Sequence, residues 1–386
     1  MSKQGVNLSD IKETNSSRVM ELILNNENIT RVEISERTNL TQASISKTTK
    51  QLIEQGLIYE DKFVKGKSGR RSIGLKVNYN YAQIIGVKIS RGYYQIALFN
   101  LDCQIIEMIS YDYSEDNPES FIANLALNIR RLLDLSSNVI LISIAVPGPF
   151  NHKNGKIELM TEYNYLDHVD IYSLTECFEV PIIASQDANS ACLASFNYYG
   201  LDPSSDLAFY YLDKGVGAGI SQSGQLITGD LGTAGEIGHI SIDYQGDQCS
   251  CGNRGCLELY CSSIAILRKI KSRYNLVYKS IDEFYAKGPE EEFYDDFVKN
   301  IVLYISLGAL NLVNAYNPKF IIIGGEVMKG VDQLKNPILK RLSELVVDNI
   351  FEETEFIFVD KSYDFVLYGT GYIGVDFLLN NFSLLN

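Results

Sequence analysis

Apolar residues in the first sixty positions recur at helical intervals three times in succession. In "NSSRVMELILNNE" (15–27), Val19, Leu22 and Ile23 share one side behind a polar start at Asn15–Ser17. The next segment, 30–40, is short, and Thr30 stands three residues before Glu33, the spacing of a reciprocal helix cap. From 41 to 58, Ile45, Thr49, Leu52 and Ile53 make an inward face, while Ala43, Ser46, Lys47 and Lys50 repeat on another. Small, hydroxyl and basic side chains of that kind suit close approach to phosphates and base edges. Gly56 closes the helix, and 57–78 then reads as a two-strand ribbon. Its tip, "KGKSGRR", sets Lys65, Lys67, Arg70 and Arg71 around two glycines that allow a tight turn.

From about residue 82 the pattern changes. Runs at 84–90, 94–100 and 103–110 predict a three-strand meander. A helix over 117–137 follows, entered by Asn117 with Pro118 in its first turn. A buried strand over 139–149 ends in a Pro-Gly turn. A similar set recurs at 207–212, 216–221, a long helix within 291–315, and 320–326. The repeat predicts an α/β body of two lobes, each with a mixed sheet and a cleft between them.

Charge divides the chain in the same place. The whole sequence of 386 residues carries a net −14, yet residues 1–80 hold 13 Lys and Arg against 9 Asp and Glu. A segment at +4 on a body at −18 marks one part that meets a polyanion and another that does not. With the order helix, helix, helix, basic ribbon, it predicts a winged helix-turn-helix. Its third helix would enter the major groove through Gln42, Ser44, Ser46, Lys47 and Lys50, with Arg70 and Arg71 of the wing reaching a minor groove. The bland alternative is a small helical subdomain with a solvated hairpin. The N-terminus lacks the apolar core of a signal peptide, and no run of about 18 apolar residues occurs, so no membrane partner is expected. Seven cysteines without a secretory signal point to the cytoplasm and away from a disulfide framework.

Three of those cysteines crowd into "CSCGNRGC" (249–256). His239, one of only three histidines, precedes Cys249 by ten residues. His239, Cys249, Cys251 and Cys256 are a tetrahedral zinc set, structural because all four ligands come from protein. Gly252 and Gly255 let the backbone wrap the ion. A redox pair of Cys251 and Cys256 is the alternative. Glu236 and Glu258 flank the knot, which would fix both carboxylates relative to the imidazole for bonding to sugar hydroxyls; otherwise they are solvated or cap helices. Asp187, after the short strand "PIIA", is either a helix cap or a cleft carboxylate that binds a hydroxyl or acts as a base.

The stretch "AGEIGHISIDYQGDQCSCGNRGCLELYCS" (234–262), with "VPGP" (146–149), "QDAN" (186–189), "GVGAGI" (215–220) and "IIIGGE" (321–326) in order, resembles the ROK family of repressors, open reading frames and sugar kinases. The cysteine segment is similar to its xylose-repressor branch. The resemblance implies an actin-like two-lobed sugar-kinase fold and a homodimer or homotetramer. It implies zinc on His239, Cys249, Cys251 and Cys256, and a sugar on Asp187, Glu236, His239 and Glu258. His239 serves both because one ring nitrogen ligates metal while the other faces the sugar. The expected division is 1–80 for the DNA module, 81–190 for the first lobe, and 191–369 for the second, with 370–386 returning to the first.

Departures from the family pattern bear on activity. "GVKISRGYYQ" (86–95) has Lys88 where kinases carry the Asp of a phosphate loop, with Arg91 near its glycine. "LDKGVGAG" (212–219) has Lys214 where a small hydroxyl residue is usual. Both argue against ATP and phosphoryl transfer, although Asp187, the would-be base, is present. Gln186 replaces an Asn, and "TEYNY" (161–165) replaces a Pro-Asn pattern, so sugar identity does not transfer from relatives. The function expected is a repressor that leaves a palindromic operator when a monosaccharide, xylose or glucose foremost, enters the cleft. The competing expectations are an ATP-dependent sugar kinase with an accessory DNA module, and a DNA-binding protein whose body serves only assembly.

Overall fold

A computed structural model describes residues 8–26, 28–65, 71–113, 117–160, 166–359 and 363–385. Three helices open the chain: α1 (Leu8–Leu24), α2 (Arg31–Thr38) and α3 (Gln42–Gln55). The Thr30 side chain accepts from the Glu33 N–H, and the Glu33 carboxylate accepts from Thr30 N–H at 2.9 Å, so the reciprocal cap is present. Thr41 caps α3, and Gly56 ends it in the left-handed region at φ 84°. Strands Ile58–Lys65 and Arg71–Val77 form the ribbon, with Ile29–Thr30 added at its edge.

Helix α1 starts at Leu8, not after the polar residues Asn15–Ser17. Ser16 is buried inside the helix, and Val19, Met20 and Ile23 pack against Leu378, Phe382 and Leu385 from the far end of the chain. The helix continues through Asn15–Ser17 despite the local preference of Asn and Ser for a cap. The same core includes Ala82 and Leu101, so the N-terminal module rests on the body rather than hanging from it.

The first lobe holds a five-stranded mixed sheet in the order Ile182–Gln186, Val139–Val146, Gln83–Ser90, Tyr93–Asn100, Ile105–Asp112. The first three strands are parallel and the last pairs antiparallel. Helix α4 (Pro118–Leu133) covers one face with Phe121, Leu125, Ile129 and Leu132. It stops short of residue 137, where Asp134 serves as the C-cap. The C-terminal helix, Phe365–Asn380, covers the other face through Leu367 and Val375.

The second lobe has its own five-stranded sheet: Gln225–Leu226, Val216–Gln222, Leu207–Leu212, Phe320–Gly324, Glu355–Phe358. The long helix Tyr294–Tyr316 is apolar and long enough to cross a membrane by composition. Its Ile301, Ile305 and Leu312 instead pack with Ile266, Phe284 and Leu342 in the core of this lobe. Helix α5 (Asp187–Tyr199) lies between the sheets, against both the C-terminal helix and strand Val216–Gln222. The expected lobe boundary at 190/191 falls within α5, which packs on both sides. The architecture is the two-lobed, actin-like one.

Candidate functional site

The cleft between the lobes gathers side chains from segments far apart in sequence, among them Arg91, Gln186, Asp187, Glu236, His239 and Glu258. Strand Ile182–Gln186 runs directly into α5, which places Asp187 on the first helical residue rather than at the cap. Its Oδ1 accepts the Ala188 N–H at 2.7 Å. The cap position belongs to Gln186, whose side chain does not cap the helix. Its Nε2 donates instead to Glu236 Oε1 at 2.6 Å and to the Gly148 carbonyl at 3.1 Å.

Glu236 precedes the single turn Ile237–His239. The preceding Gly235 has φ 93° and lies against the Ala218 carbonyl where a Cβ would collide, so only glycine brings the turn this close. Glu258 opens the short helix Glu258–Cys261 and is only 5% exposed, so it is neither solvated nor a mere surface cap. Its Oε2 accepts the Val216 N–H at 3.0 Å, and Arg91 Nη2 stands 3.9 Å from the same oxygen.

Burial raises the Asp187 carboxyl to about 7, with the nearby Asp213 adding to the rise and the Ala188 N–H, Arg91 and Lys88 opposing it. Burial raises Glu236 to about 8, reinforced by Asp187 and Glu258 and opposed by the Gln186 bond and Arg91. Near neutrality these groups therefore offer both hydroxyl donors and carboxylate acceptors. Such a mixed set matches sugar hydroxyls, each of which donates once and accepts twice.

Beside the cleft, His239 and Cys249, Cys251 and Cys256 place their donor atoms within 4.8 Å of one another. Cys249 Sγ is 3.7 Å from His239 Nδ1, and Cys251 Sγ is 3.6 Å from Cys256 Sγ. Ligands of a tetrahedral ion with bonds of about 2.0–2.3 Å stand roughly 3.5–3.8 Å apart, so the four fit a metal. The two sulfurs of Cys251 and Cys256 are too distant for a disulfide bond, and all seven cysteines are free thiols. Short antiparallel bridges, Ser241 to Cys256 and Gln248 to Arg254, fold the knot. His239 turns Nε2 to Glu236 Oε2 at 3.8 Å, so one ring faces the sulfur cluster with Nδ1 and the cleft with Nε2.

The two lysines of the altered loops are both engaged. Lys88 Nζ pairs with Asp364 Oδ2 at 2.7 Å, and Lys214 Nζ donates to the Arg91 carbonyl across the lobes. On the N-terminal module, Gln42, Ser46, Lys47 and Lys50 are exposed on α3, Ser44 is half-buried, and Lys50 is 3.7 Å from Glu54 of the same helix. Arg71 pairs its backbone with Lys65 in the ribbon, whereas Lys67, Arg70 and the segment "TEYNY" (161–165) lie outside the described residues. In the sequence Arg91 is only a neighbour of a glycine and Gln186 only a departure from the family pattern. Their roles come from partners remote in sequence, Glu258 and Glu236, which no local spacing announces.

The ROK family profile matches residues 84–371, and a winged helix-turn-helix DNA-binding profile matches 13–59. The chain is 30% identical over 336 residues to the xylose repressor of Caldicellulosiruptor bescii, covering 82% of this chain and 84% of that one. It is 28% identical over 334 residues to the DNA-binding transcriptional dual regulator NagC of Escherichia coli, covering 83% and 82%. Among solved structures, a ROK family transcriptional regulator homologous to the E. coli Mlc protein superposes with a TM-score of 0.83 at 26% identity, covering 97% of this chain and 99% of that one. The ROK hexokinase of Thermus thermophilus shares the fold of the body, with a TM-score of 0.65 at 19% identity over 76% of this chain and 99% of that one.

Proposed function

The chain belongs to the ROK family, and on that premise we propose that it is a cytoplasmic, sugar-responsive transcriptional repressor. The observation that carries this reading is continuity between its two ends. Asp187 in the cleft begins α5, α5 packs on the C-terminal helix, and the C-terminal helix packs on α1 of the DNA module. A ligand that prefers one lobe arrangement would therefore shift the module, and DNA would shift ligand affinity by the same factor.

In this reading Asp187, Glu236, His239 and Glu258 bind a monosaccharide, xylose or glucose first. Gln42, Ser44, Ser46, Lys47, Lys50, Arg70 and Arg71 contact a palindromic operator bound by a homodimer or homotetramer. The module spans 1–80, and the lobes follow at 81–190 and 191–369 with the C-terminal segment returning to the first. The relatives include a xylose repressor and an N-acetylglucosamine repressor, so kinship alone does not choose the effector. Zinc on His239, Cys249, Cys251 and Cys256 would act structurally, cross-linking the loop that carries Glu236 and Glu258. Lys88 places an ammonium where a kinase needs an acidic residue, and its ion pair with Asp364 supports a body that does not use ATP.

The competing kinase reading keeps one supporting observation, the upshifted Asp187 at a position fit for a general base. A thermal-shift panel separates the two: xylose, glucose, N-acetylglucosamine, fructose and allose, each with and without Mg·ATP, followed by operator binding with the sugar that stabilises. At about 100 times its dissociation constant a ligand adds roughly 2.7 kcal/mol of stability. Stabilisation by one sugar, indifference to ATP, and a change in operator affinity are expected. Sugar consumption in the presence of ATP would replace this reading with the kinase.

A further inference from the structure

Arg91 belongs to the turn between strands Gln83–Ser90 and Tyr93–Asn100 of the first lobe, and Glu258 to the second. They meet inside the cleft. Both are nearly buried, Arg91 at 7% exposed and Glu258 at 5%. Nη2 and Oε2 stand 3.9 Å apart, attracted but beyond hydrogen-bond contact. Arg91 Nε and Glu258 Oε1 are buried and have no hydrogen-bond partner among the described residues. An unmet donor and an unmet acceptor, on two buried side chains that approach to 3.9 Å through their other atoms, each cost free energy until a ligand meets them.

The surroundings hold this arrangement in place. A Cβ on Gly215 would sit 2.6 Å from Arg91 Nη1 and 2.9 Å from Glu258 Oε2, so the glycine makes room for the pair. Lys214 Nζ donates to the Arg91 carbonyl and fixes the turn that carries the guanidinium. Charge then narrows the chemistry of the missing partner. An anionic group would reach Arg91 only among Asp187, Asp213, Glu236 and Glu258, and a cationic group would meet the guanidinium. A neutral hydroxyl meets both needs at once, accepting from Nε and donating to Oε1.

We infer that Arg91 and Glu258 together read one hydroxyl of the bound monosaccharide, and that this hydroxyl joins the two lobes. The inference rests on the sugar-sensing reading above and adds a recognition residue to it. Because each lobe supplies one of the two atoms, the bridged hydroxyl transmits ligand binding to the lobe arrangement directly. Sugars lacking it would occupy the cleft without linking its walls.

Titration calorimetry on the full-length, metal-loaded protein tests this with D-glucose, D-xylose and the monodeoxy analogues of each. Deleting one particular hydroxyl should weaken binding to the unaltered protein about tenfold or more, as expected for a hydrogen bond to charged groups. The same deletion should cost Arg91→Met several-fold less than it costs the unaltered protein, because only the bond to Glu258 is left to lose. Gly215→Ala, whose Cβ would press on both terminal nitrogens of Arg91, should give the same hydroxyl-specific loss and guards against misfolding of the first variant. If Arg91→Met binds the parent sugar as tightly as the unaltered protein, or loses affinity equally for every analogue, Arg91 does not read a hydroxyl. If neither parent sugar binds the unaltered protein, the sugar-sensing reading itself fails for these ligands and the inference falls with it.

Discussion

Lys88 Nζ and Asp364 Oδ2 form a 2.7 Å ion pair in a second pocket, which shares Tyr211 and Asp213 with the cleft, with Lys88 almost wholly enclosed and Asp364 still touching water. Burial alone would lower the lysine pKa, but Asp364, Tyr93 and Asp213 outweigh it and the ammonium is held charged. Asp364 also caps the C-terminal helix, accepting the Leu367 N–H at 3.1 Å. Lys88→Met should therefore destabilise the protein by about 2 kcal/mol, less than the ~3–5 of a fully buried broken pair. The double variant with Asp364→Asn, which keeps the cap, should recover most of that loss. Urea unfolding of the four proteins in the cycle measures both; a strictly additive pair would remove the coupling.

Asp187 gives stability a defined pH dependence. In the unfolded chain its carboxyl ionises near 4, whereas in the cleft it holds its proton to about 7. Between those values the native state carries a proton that the unfolded state has lost, so raising pH favours unfolding. The slope from this one group reaches ~1.4 kcal/mol per pH unit and levels off above its folded pKa. Glu236 adds a slope of the same sign up to about 8. Asp187→Asn should flatten the decline in stability from pH 5 to 7 without abolishing it. Unfolding free energies at several pH values, identical in slope for variant and parent, would refute the assignment.

The sulfur cluster makes a prediction about metal. Bound ion should leave with a chelator at about one per chain, with a fall in melting temperature and a loss of sugar affinity, because Glu236 and His239 depend on the same knot. Cys256→Ser, at a residue that is fully buried, should do the same without a chelator. Cys177→Ser, which packs on the core of the first lobe and is not part of the cluster, serves as the control. Elemental analysis beside a thermal melt reads both effects; full stability and affinity without any metal would count against a structural role.

The exposed lysines of α3 predict a salt effect. Lys47→Ala or Lys50→Ala should weaken binding to specific and nonspecific DNA alike and reduce the dependence of log affinity on log salt by about one ion each. Fluorescence anisotropy across a salt series measures it. A loss confined to one operator base pair would instead make the residue a base reader.

Much of the local structure was legible in the chain. Thr30 and Glu33 cap α2 because the cap needs only residues three apart, and α3 buries Ile45, Thr49 and Leu52 as its period requires. The cluster of His239, Cys249, Cys251 and Cys256, which could hold a metal, was legible for the same reason: three of its four side chains lie within eight residues, and their chemistry is carried by residue type and spacing.

Other features were decided only by tertiary contact. Helix α1 runs from Leu8 through Asn15–Ser17, and its Val19, Met20 and Ile23 lie against residues near the C-terminus, a contact no property of the local sequence could indicate. Gln186 binds Glu236 instead of capping its own helix, and Arg91 faces Glu258 across the cleft. Such pairs join positions far apart in the chain, whose meeting depends on how two sheets and their helices pack. Sequence period fixes which residues share a face; only the folded lobes fix which faces meet.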